Sequence, residues 1–159
     1  MDINYSALPL TCQKTIPEDY RDIMGHMNVM WYTHLFDQAT FAFFETFGMG
    51  AEYHTQSGSG SFALEQHTRY LAEVRVGEHI VIHSRALGRS IKRFHFIHFM
   101  LKDDGQTLSA TTELIGTHID MSIRRTSPLP AHLAAAFDEL LAQHNRLGWP
   151  APVCGAMQP

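Results

Sequence analysis

The strongest pattern along the chain is a run of apolar residues at three- and four-residue spacing between Asn28 and Gly48. Asn is a preferred helix N-cap and Gly a preferred C-terminal stop, so the pattern predicts a long helix between these two residues. The rest of the helix surface is also apolar, so most of it must be covered. The periodic positions are Tyr32, Leu35, Phe36, Ala39, Phe43 and Phe47, and the additional apolar ones are Trp31, Phe41, Ala42 and Phe44.

Segments typical of β-strands lie on both sides of this helix. The stretch "TCQKTIPEDY" alternates up to Pro17 and predicts a first strand. Residues 51–60, "AEYHTQSGSG", predict a loop because Gly and Ser dominate their end. Four more strands are predicted in "SFALEQHTRYL", "HIVIHSRAL", "RFHFIHFMLK" and "LSATTELIGTHIDM", with hairpin turns at "LGRSIK" and "KDDGQ".

A short final helix is predicted between Pro130 and Gly148, with Leu133, Phe137, Leu140 and Leu141 at helical spacing. The order of elements predicts an α+β fold in which an antiparallel sheet wraps around the long helix. We expect one domain over residues 1–147 and a loosely ordered, Pro-rich tail over residues 148–159. Because such a wrap leaves edge strands to be covered, we also expect a homodimer or a dimer of dimers.

Composition narrows the possible partners. The chain has 159 residues, of which 45% are apolar, enough for one sizeable core. Its formal net charge of -4 argues against binding to nucleic acid or to an anionic membrane surface. Residues 29–47 do not suit a membrane span, because His34, Asp37, Gln38 and Glu45 interrupt them.

Two observations favour a reducing cytoplasm. The first residues, "MDINYSALPLTCQK", lack the basic start and the long apolar stretch of a secretory signal. Cys12 and Cys154 are the two cysteines, and their spacing predicts neither a disulfide framework nor a thiolate zinc site.

The polar segment "DIMGHMN" lies directly before the long helix. Asp22 and Gly25 suit the first and fourth positions of a type I turn, which alone explains their presence. His26, Met27 and Asn28 follow at a helix N-terminus, where backbone amides are unpaired and the helix dipole is positive. A carboxylate beside such amides is a minimal acyl-transfer site: the amides polarise a carbonyl oxygen while Asp22 attacks the carbonyl or deprotonates a water.

The stretch "DIMGHMNVMWYTHLFDQA" resembles the Asp-x-x-Gly-His-x-Asn loop and helix of hotdog thioesterases of the 4-hydroxybenzoyl-CoA thioesterase type. Further along, "LEQHTRYLAEVRVGE", "KRFHFIHFML" and "THIDMSIRRTSPLP" resemble the later strands of betainyl-CoA thioesterases and of the thioesterase domains fused to carnitine dehydrogenases. The resemblance covers most of residues 11–130. It implies a hotdog fold and hydrolysis of an acyl-CoA thioester, without a cofactor.

The resemblance also implies roles for particular residues. Asp22 would act as nucleophile or general base, and Gly25, His26 and the amides that follow, including that of Met27, would hold the thioester carbonyl. Asn28, Trp31 and Tyr32 would shape the pocket. Other hotdog branches take their carboxylate from the helix, which makes Asp37 and Glu45 reserve candidates.

Glu65, His67 and Thr68 lie on the first strand after the long helix, which lines the pocket in the resembling family. Alternation places Glu65 and His67 on one face and Thr68 on the other. If Glu65 faces the site, it orders a water or meets a cationic substrate, and His67 and Thr68 contact the substrate. The alternative is an ordinary exposed Glu and His on a half-exposed strand.

Betainyl-CoA would present a quaternary ammonium, which aromatic faces recognise with help from carboxylates. Trp31, Tyr32, Phe36 and Tyr70 are available for such a cage, although aromatics at helical spacing are more often core. Basic residues cluster around one predicted hairpin and would grip the phosphates of coenzyme A, or form a solvated turn. They are Arg85, Arg89, Lys92 and Arg93, with Arg124 and Arg125 after the last long strand.

No metal site is predicted among the eleven histidines. His79 and His83 are four residues apart on a predicted strand, roughly 13 Å at the usual rise, too far to share one ion. His95 and His98 point to opposite faces. The favoured function is therefore an acyl-CoA thioesterase that uses Asp22, and the alternatives are a non-catalytic acyl-CoA-binding module and a hotdog dehydratase acting on 3-hydroxyacyl-CoA.

Overall fold

The computed structural model describes residues 3–103 and 105–159, so the first two residues of the N-terminal segment and the centre of the predicted "KDDGQ" turn lie outside it. Short 3-10 turns occur at Tyr5–Ala7 and Glu18–Tyr20. The helices are α1 (Val29–Glu45), α2 (Ala51–Ser57) and α3 (Ala131–Asn145). The strands are β1 (Leu10–Thr15), β2 (Ser59–Tyr70), β3 (His79–Arg89), β4 (Arg93–Lys102), β5 (Leu108–Asp120) and β6 (Arg125–Thr126).

The strands form one antiparallel sheet in the order β1-β3-β4-β5-β2. The two predicted hairpins are confirmed as β3–β4 and β4–β5. The two-residue strand β6, which the sequence patterns did not indicate, pairs with the end of β5. The sheet curls around α1, so the predicted hotdog fold is confirmed.

Helix α1 begins as its sequence predicts and divides the core into two clusters. The side chain of Asn28 caps it by accepting the Met30 N–H at 3.0 Å. Its first half packs against β1 and β3, and its second half packs against β4 and α3. The first cluster includes Tyr20, Tyr32, Leu35, Phe36, Ile80 and Ile82, and the second includes Phe43, Phe44, Phe47, Phe94, Phe96 and Phe137.

One face of α1 stays open within a single chain. Phe41 and Met30 are exposed on it, although the apolar pattern predicted that the helix would be covered on most sides. This face lines a cavity between α1 and β2, whose walls include Phe36, Asp37, Phe62 and Leu114. Among the described residues, no helix combines the length and apolarity needed to cross a lipid bilayer.

A third apolar cluster lies on the outer face of the sheet, away from α1. It contains Leu8, Ile97, Phe99, Leu101 and Trp149, so both terminal segments cover this face. Residues 148–159 were predicted to be loosely ordered. In the structure Trp149 and Met157 are buried, and the Arg85 guanidinium donates to the Trp149 carbonyl oxygen at 2.9 Å. The tail therefore packs against the sheet through contacts that its Pro-rich composition did not indicate.

The prediction of a loop over residues 51–60 is wrong, because α2 occupies most of it. The Glu45 carboxylate accepts the Ala51 N–H at 3.1 Å and caps the helix from six residues away. The Tyr53 hydroxyl lies 2.7 Å from His118 Nε2 and fixes the helix against β5. The Gly-Ser end of the segment is the helix terminus, where Gly58 adopts a φ of 62°.

Candidate active site

The segment between β1 and α1 forms a closed turn. The Asp22 N–H donates to the His26 carbonyl at 2.9 Å, and the Gly25 N–H donates to the Asp22 carbonyl at 3.2 Å. Gly25 has a φ of 89°, which favours glycine over any residue with a Cβ. The predicted turn is therefore present, and it presents Asp22 and His26 side by side.

The two oxygens of the Asp22 carboxylate have different surroundings. Oδ1 accepts the Met24 N–H at 2.8 Å and lies 3.4 Å from the His26 N–H. Oδ2 lies 3.3 Å from His26 Nδ1. The Asp22 side chain is 18% exposed and that of His26 36%, so a small molecule can reach both. The backbone thus holds one oxygen, while the other remains available beside an imidazole.

Most backbone N–H groups at the start of α1 already donate hydrogen bonds within the protein. Few of them therefore remain to bind the thioester carbonyl oxygen as predicted. Val29 is the first residue of the helix, and its N–H has no acceptor among the described residues. It lies at the positive end of the helix dipole, where a developing negative charge is stabilised. The paired amides are those of Gly25, Met27, Asn28, Met30 and Trp31.

An open cleft, which we call the loop cleft, lies beside this turn. The rings of Tyr32 and Tyr70 meet edge to face there, with centroids 5.2 Å apart. Burial raises the pKa of Tyr32, so this phenol stays neutral, and its oxygen accepts the Val74 N–H at 3.2 Å. The cleft is lined by His26, Val29, Tyr32, Tyr70, Leu71, Ala72 and Glu73.

Three residues that were predicted to contact substrate do not line the loop cleft, and instead pack beneath it or cap the helix. Trp31 stacks on Tyr20, with ring centroids 3.8 Å apart, and does not line the loop cleft. Met27 is buried in the core, and Asn28 is used as the helix cap. Their contacts hold the turn and the helix end in place.

Glu65 and His67 lie on the outer face of the sheet, away from Asp22. In the β2–β5 register Glu65 pairs with Ile115 and His67 with Glu113, which is the face opposite α1. Thr68 lies on the inner face, where its hydroxyl is 2.8 Å from that of Thr112. Glu65 and His67 therefore lie on the opposite face of β2 from Thr68, as alternation predicted. That face is the outer one, so neither Glu65 nor His67 lines the loop cleft.

The basic residues that were predicted to bind the phosphates of coenzyme A do not lie in one place. The Arg89 guanidinium makes two hydrogen bonds to the Asp138 carboxylate, at 2.5 and 2.6 Å, and so joins β3 to α3. Arg93 is exposed at the start of β4. Lys92 instead lines a shallow surface with Arg124 and Arg125, which we call the basic cleft. Its walls are Phe62, Leu64, Lys92, Thr117, Ile119, Arg124, Arg125 and Thr126.

The two reserve carboxylates have different positions. Glu45 is used as the cap of α2, as described above. Asp37 is exposed and lines the cavity between α1 and β2. Neither lies beside the loop cleft, whereas Asp22 contacts His26 in the wall of that cleft, so Asp22 is the best placed of the three carboxylates.

Four residues that line the loop cleft were not predicted from the sequence: Val29, Leu71, Ala72 and Glu73. Val29 follows directly after the N-cap Asn28, and the rule that first-turn amides lack partners could have identified its N–H. Glu73 lies in an irregular segment without periodicity, so no sequence signal indicated it. Its carboxylate pairs with the Arg75 guanidinium at the rim of the cleft.

Comparisons with known proteins agree with this fold. Residues 17–137 match the family model described as Thioesterase-like superfamily, and the chain belongs to that family. Over 124 residues, 78% of the chain, it is 36% identical to the L-carnitine dehydrogenase/betainyl-CoA thioesterase of Agrobacterium fabrum, of which it spans 25%. It is 27% identical over 149 residues to the betainyl-CoA thioesterase of Pseudomonas aeruginosa, with 93% of each chain covered. A Staphylococcus aureus protein solved in complex with CoA superposes with a TM-score of 0.82 at 23% identity, covering 90% of each chain.

Proposed function

We propose that this protein hydrolyses acyl-CoA thioesters to a free carboxylic acid and coenzyme A. The observation that carries the proposal is the Asp22 carboxylate, held by backbone amides through one oxygen and free at the other beside His26. Membership of the thioesterase-like family supports the same reaction. Two curated relatives, 36% and 27% identical to this chain, carry betainyl-CoA thioesterase in their names.

The reaction uses few groups. The Val29 N–H holds the thioester carbonyl oxygen as negative charge develops on it. Asp22 either attacks the carbonyl carbon to form an anhydride that water then cleaves, or takes a proton from a water that attacks directly. In both routes a C–O bond forms, the C–S bond breaks, and the sulfur leaves as the coenzyme A thiol after receiving a proton. His26 positions the reactive oxygen of Asp22.

Product analysis separates this proposal from its two alternatives. The chain is incubated with acetyl-, betainyl-, long-chain and aromatic acyl-CoA, and free thiol is measured. Thiol release supports hydrolysis. An enoyl thioester formed from 3-hydroxyacyl-CoA without thiol release indicates a dehydratase, and tight binding without any product indicates a binding module.

We further propose that the acyl group is small and cationic, as in betainyl-CoA. The exposed ring of Tyr70, which packs edge to face with the buried Tyr32, offers a π-face, and the Glu73 carboxylate supplies negative charge at the rim of the cleft. Aromatic faces attract quaternary ammonium groups, and a nearby carboxylate adds Coulomb attraction. Of the predicted cage, Tyr32 and Tyr70 line the cleft, whereas Trp31 and Phe36 do not.

Glu73→Gln is expected to raise KM for betainyl-CoA about fivefold, because an exposed charge pair contributes about 1 kcal/mol. KM for acetyl-CoA is expected to stay unchanged. Arg75→Gln is the matched variant: it removes the cation that competes for Glu73 and lowers KM for betainyl-CoA. Equal effects of Glu73→Gln on both substrates would contradict the cationic acyl group.

We propose that two copies of the chain pair along β2. This strand has twelve residues and lies at the edge of the sheet, with Phe62 and Leu64 exposed. A long apolar edge strand invites pairing with another strand, and a twofold axis would pair two copies antiparallel. The second copy would also cover the open face of α1 around Phe41.

Such a dimer would complete the substrate site. Antiparallel pairing brings the Tyr70 end of β2 in one copy beside the Ser59 end in the other. The loop cleft of one copy would then lie near the basic cleft of the other, where Lys92, Arg124 and Arg125 are available for the phosphates of coenzyme A. Arg89 takes no part, because Asp138 holds it.

Leu64→Glu is expected to convert the dimer to a monomer in light scattering at micromolar concentration, because it places charge in the apolar centre of the β2 pair. Leu10→Glu is the matched control, since Leu10 is similarly exposed on the other edge strand, β1. A monomeric wild-type protein, or a Leu64→Glu variant that remains dimeric, would contradict the β2 interface.

We also propose a cytoplasmic location. Cys12 and Cys154 are both free thiols, as expected in a reducing compartment. Cell fractionation tests this, and recovery with exported proteins would contradict it.

A further inference from the structure

A buried carboxylate lies on the outer face of the sheet, where the proposed hydrolysis does not use it. The Glu113 side chain, on β5, is only 2% exposed. Its Oε1 lies 2.7 Å from His95 Nε2, and its Oε2 accepts the Cys154 backbone N–H at 2.6 Å. A buried carboxylate requires partners of this kind, and here they come from β4 and from the C-terminal tail.

Two exposed side chains that can bind a metal, those of His67 and Cys154, lie next to the buried Glu113. His67 pairs with Glu113 in the β2–β5 register, and Cys154 lies over both in the tail. One ligand atom from each of His67, Glu113 and Cys154 lies within 4.8 Å of the other two. The three come from β2, β5 and the tail, so local spacing in the sequence could not have revealed the cluster.

We propose that His67, Glu113 and Cys154 bind a Zn²⁺ ion on the outer face of the sheet. Thiolate, imidazole and carboxylate are the three donor types that bind zinc in proteins. Mg²⁺ and Ca²⁺ prefer oxygen donors alone, so the thiolate and the imidazole disfavour them. On binding, the Cys154 thiol loses its proton to solvent and forms the Zn–S bond. Water completes the tetrahedral coordination.

The geometry requires only a small contraction. Zinc–ligand bonds of about 2.0–2.3 Å place tetrahedral ligands about 3.5 Å apart, so the cluster must close by about 1 Å. The exposed His67 side chain can turn, and Cys154 lies on an irregular segment. His95 then orients the Glu113 carboxylate from outside the coordination sphere, as groups behind metal ligands commonly do.

The bound ion would fasten the C-terminal tail to the sheet. The buried Trp149 ring and the hydrogen bond from Arg85 to the Trp149 carbonyl already hold the start of the tail, whereas Cys154 lies farther along it. The proposed zinc site lies on the face opposite α1, away from Asp22 and the loop cleft. Zinc binding and thioester hydrolysis can therefore succeed or fail independently.

The test uses untagged, full-length protein treated with a chelator and then titrated with Zn²⁺ against an indicator of known affinity. We expect one Zn²⁺ per chain, with affinity reduced at least about tenfold by Cys154→Ser and by His67→Ala. Both side chains lie at the surface, so neither variant should unfold. Cys12→Ser is the matched control and is expected to bind as the wild type does.

Two further readouts identify the ligands. Co²⁺ in place of Zn²⁺ is expected to produce thiolate-to-metal absorption that Cys154→Ser abolishes. Excess Zn²⁺ is expected to raise Tm in the wild type and in Cys12→Ser, but not in Cys154→Ser, because a ligand bound only to the folded state stabilises it. Absence of stoichiometric binding, or binding unchanged in both Cys154→Ser and His67→Ala, would overturn the proposal.

Discussion

Thiol release by the Asp22→Asn variant is expected to fall by roughly 10²–10⁴-fold in kcat, the usual contribution of a catalytic acid or base. The substitution is chosen because the Asn oxygen can still accept the Met24 N–H that Asp22 Oδ1 now accepts. The turn should therefore persist while the reactive carboxylate is lost. Asp22→Ala should lose at least as much activity, because it also removes the acceptor for that amide.

The control for this experiment is Asp19→Asn. Asp19 is exposed in the short turn before Asp22, so its replacement changes the net charge equally without touching the loop cleft. We expect it to retain wild-type kcat. The circular dichroism spectrum and Tm of Asp22→Asn should match the wild type, because Asn has nearly the same size and keeps the acceptor for the Met24 N–H. A kcat within a few-fold of wild type would remove Asp22 from the mechanism.

The second large effect is expected in stability at low pH. His98 is fully buried between α1 and the sheet, and burial lowers its pKa from 6.5 to about 3. Thr40 donates its hydroxyl to the Phe36 carbonyl, so it can only accept from His98 Nε2–H. The other nitrogen, Nδ1, lies 2.6 Å from the Ser84 hydroxyl, which can donate to it. The core therefore holds one neutral tautomer of His98.

Because unfolded His98 takes up a proton near pH 6.5 and folded His98 does not until about pH 3, acid favours the unfolded chain between these values. The neutral His98 side chain contributes fully to the free energy of unfolding above pH 6.5. This free energy decreases as pH falls, and the loss from His98 is roughly 3 kcal/mol at pH 4. His144 adds to this loss, since burial, and then the charge of Arg85, lower its pKa to about 4. Urea unfolding at pH 7 and pH 4 measures the difference.

The variant His98→Gln isolates the contribution of His98. Its stability at pH 7 falls through lost packing, but its further loss between pH 7 and pH 4 should be smaller than that of the wild type by roughly 3 kcal/mol. His34→Gln, on the exposed face of α1, is expected to keep the wild-type pH dependence. Identical pH dependence in His98→Gln and the wild type would mean that His98 is not held neutral.

Features fixed by neighbouring residues could be predicted from the sequence. Helix α1 starts at its predicted cap because Asn28 and Met30 are only two residues apart. The turn at Asp22 likewise depends on hydrogen bonds within five residues. This same segment carries the thioesterase motif, which explains why the candidate carboxylate was recognised, and the resemblance of the later strands supported the fold.

Features that depend on distant contacts could not be predicted in this way. Helix α2 is fixed by His118, far along the chain, and its composition alone resembles a loop. Alternation on β2 separated Glu65 and His67 from Thr68, but it could not tell which face would meet α1. Arg89 resembled a phosphate ligand until Asp138, on α3, was found beside it.

Hydrolysis by Asp22 is best tested by measuring thiol release from betainyl-CoA and acetyl-CoA with the wild type and Asp22→Asn side by side. We expect rapid release by the wild type, preference for betainyl-CoA, and near loss of both activities in the variant. Release that is equal in the two proteins would contradict the role of Asp22. Absence of release from every acyl-CoA tested would contradict hydrolysis itself.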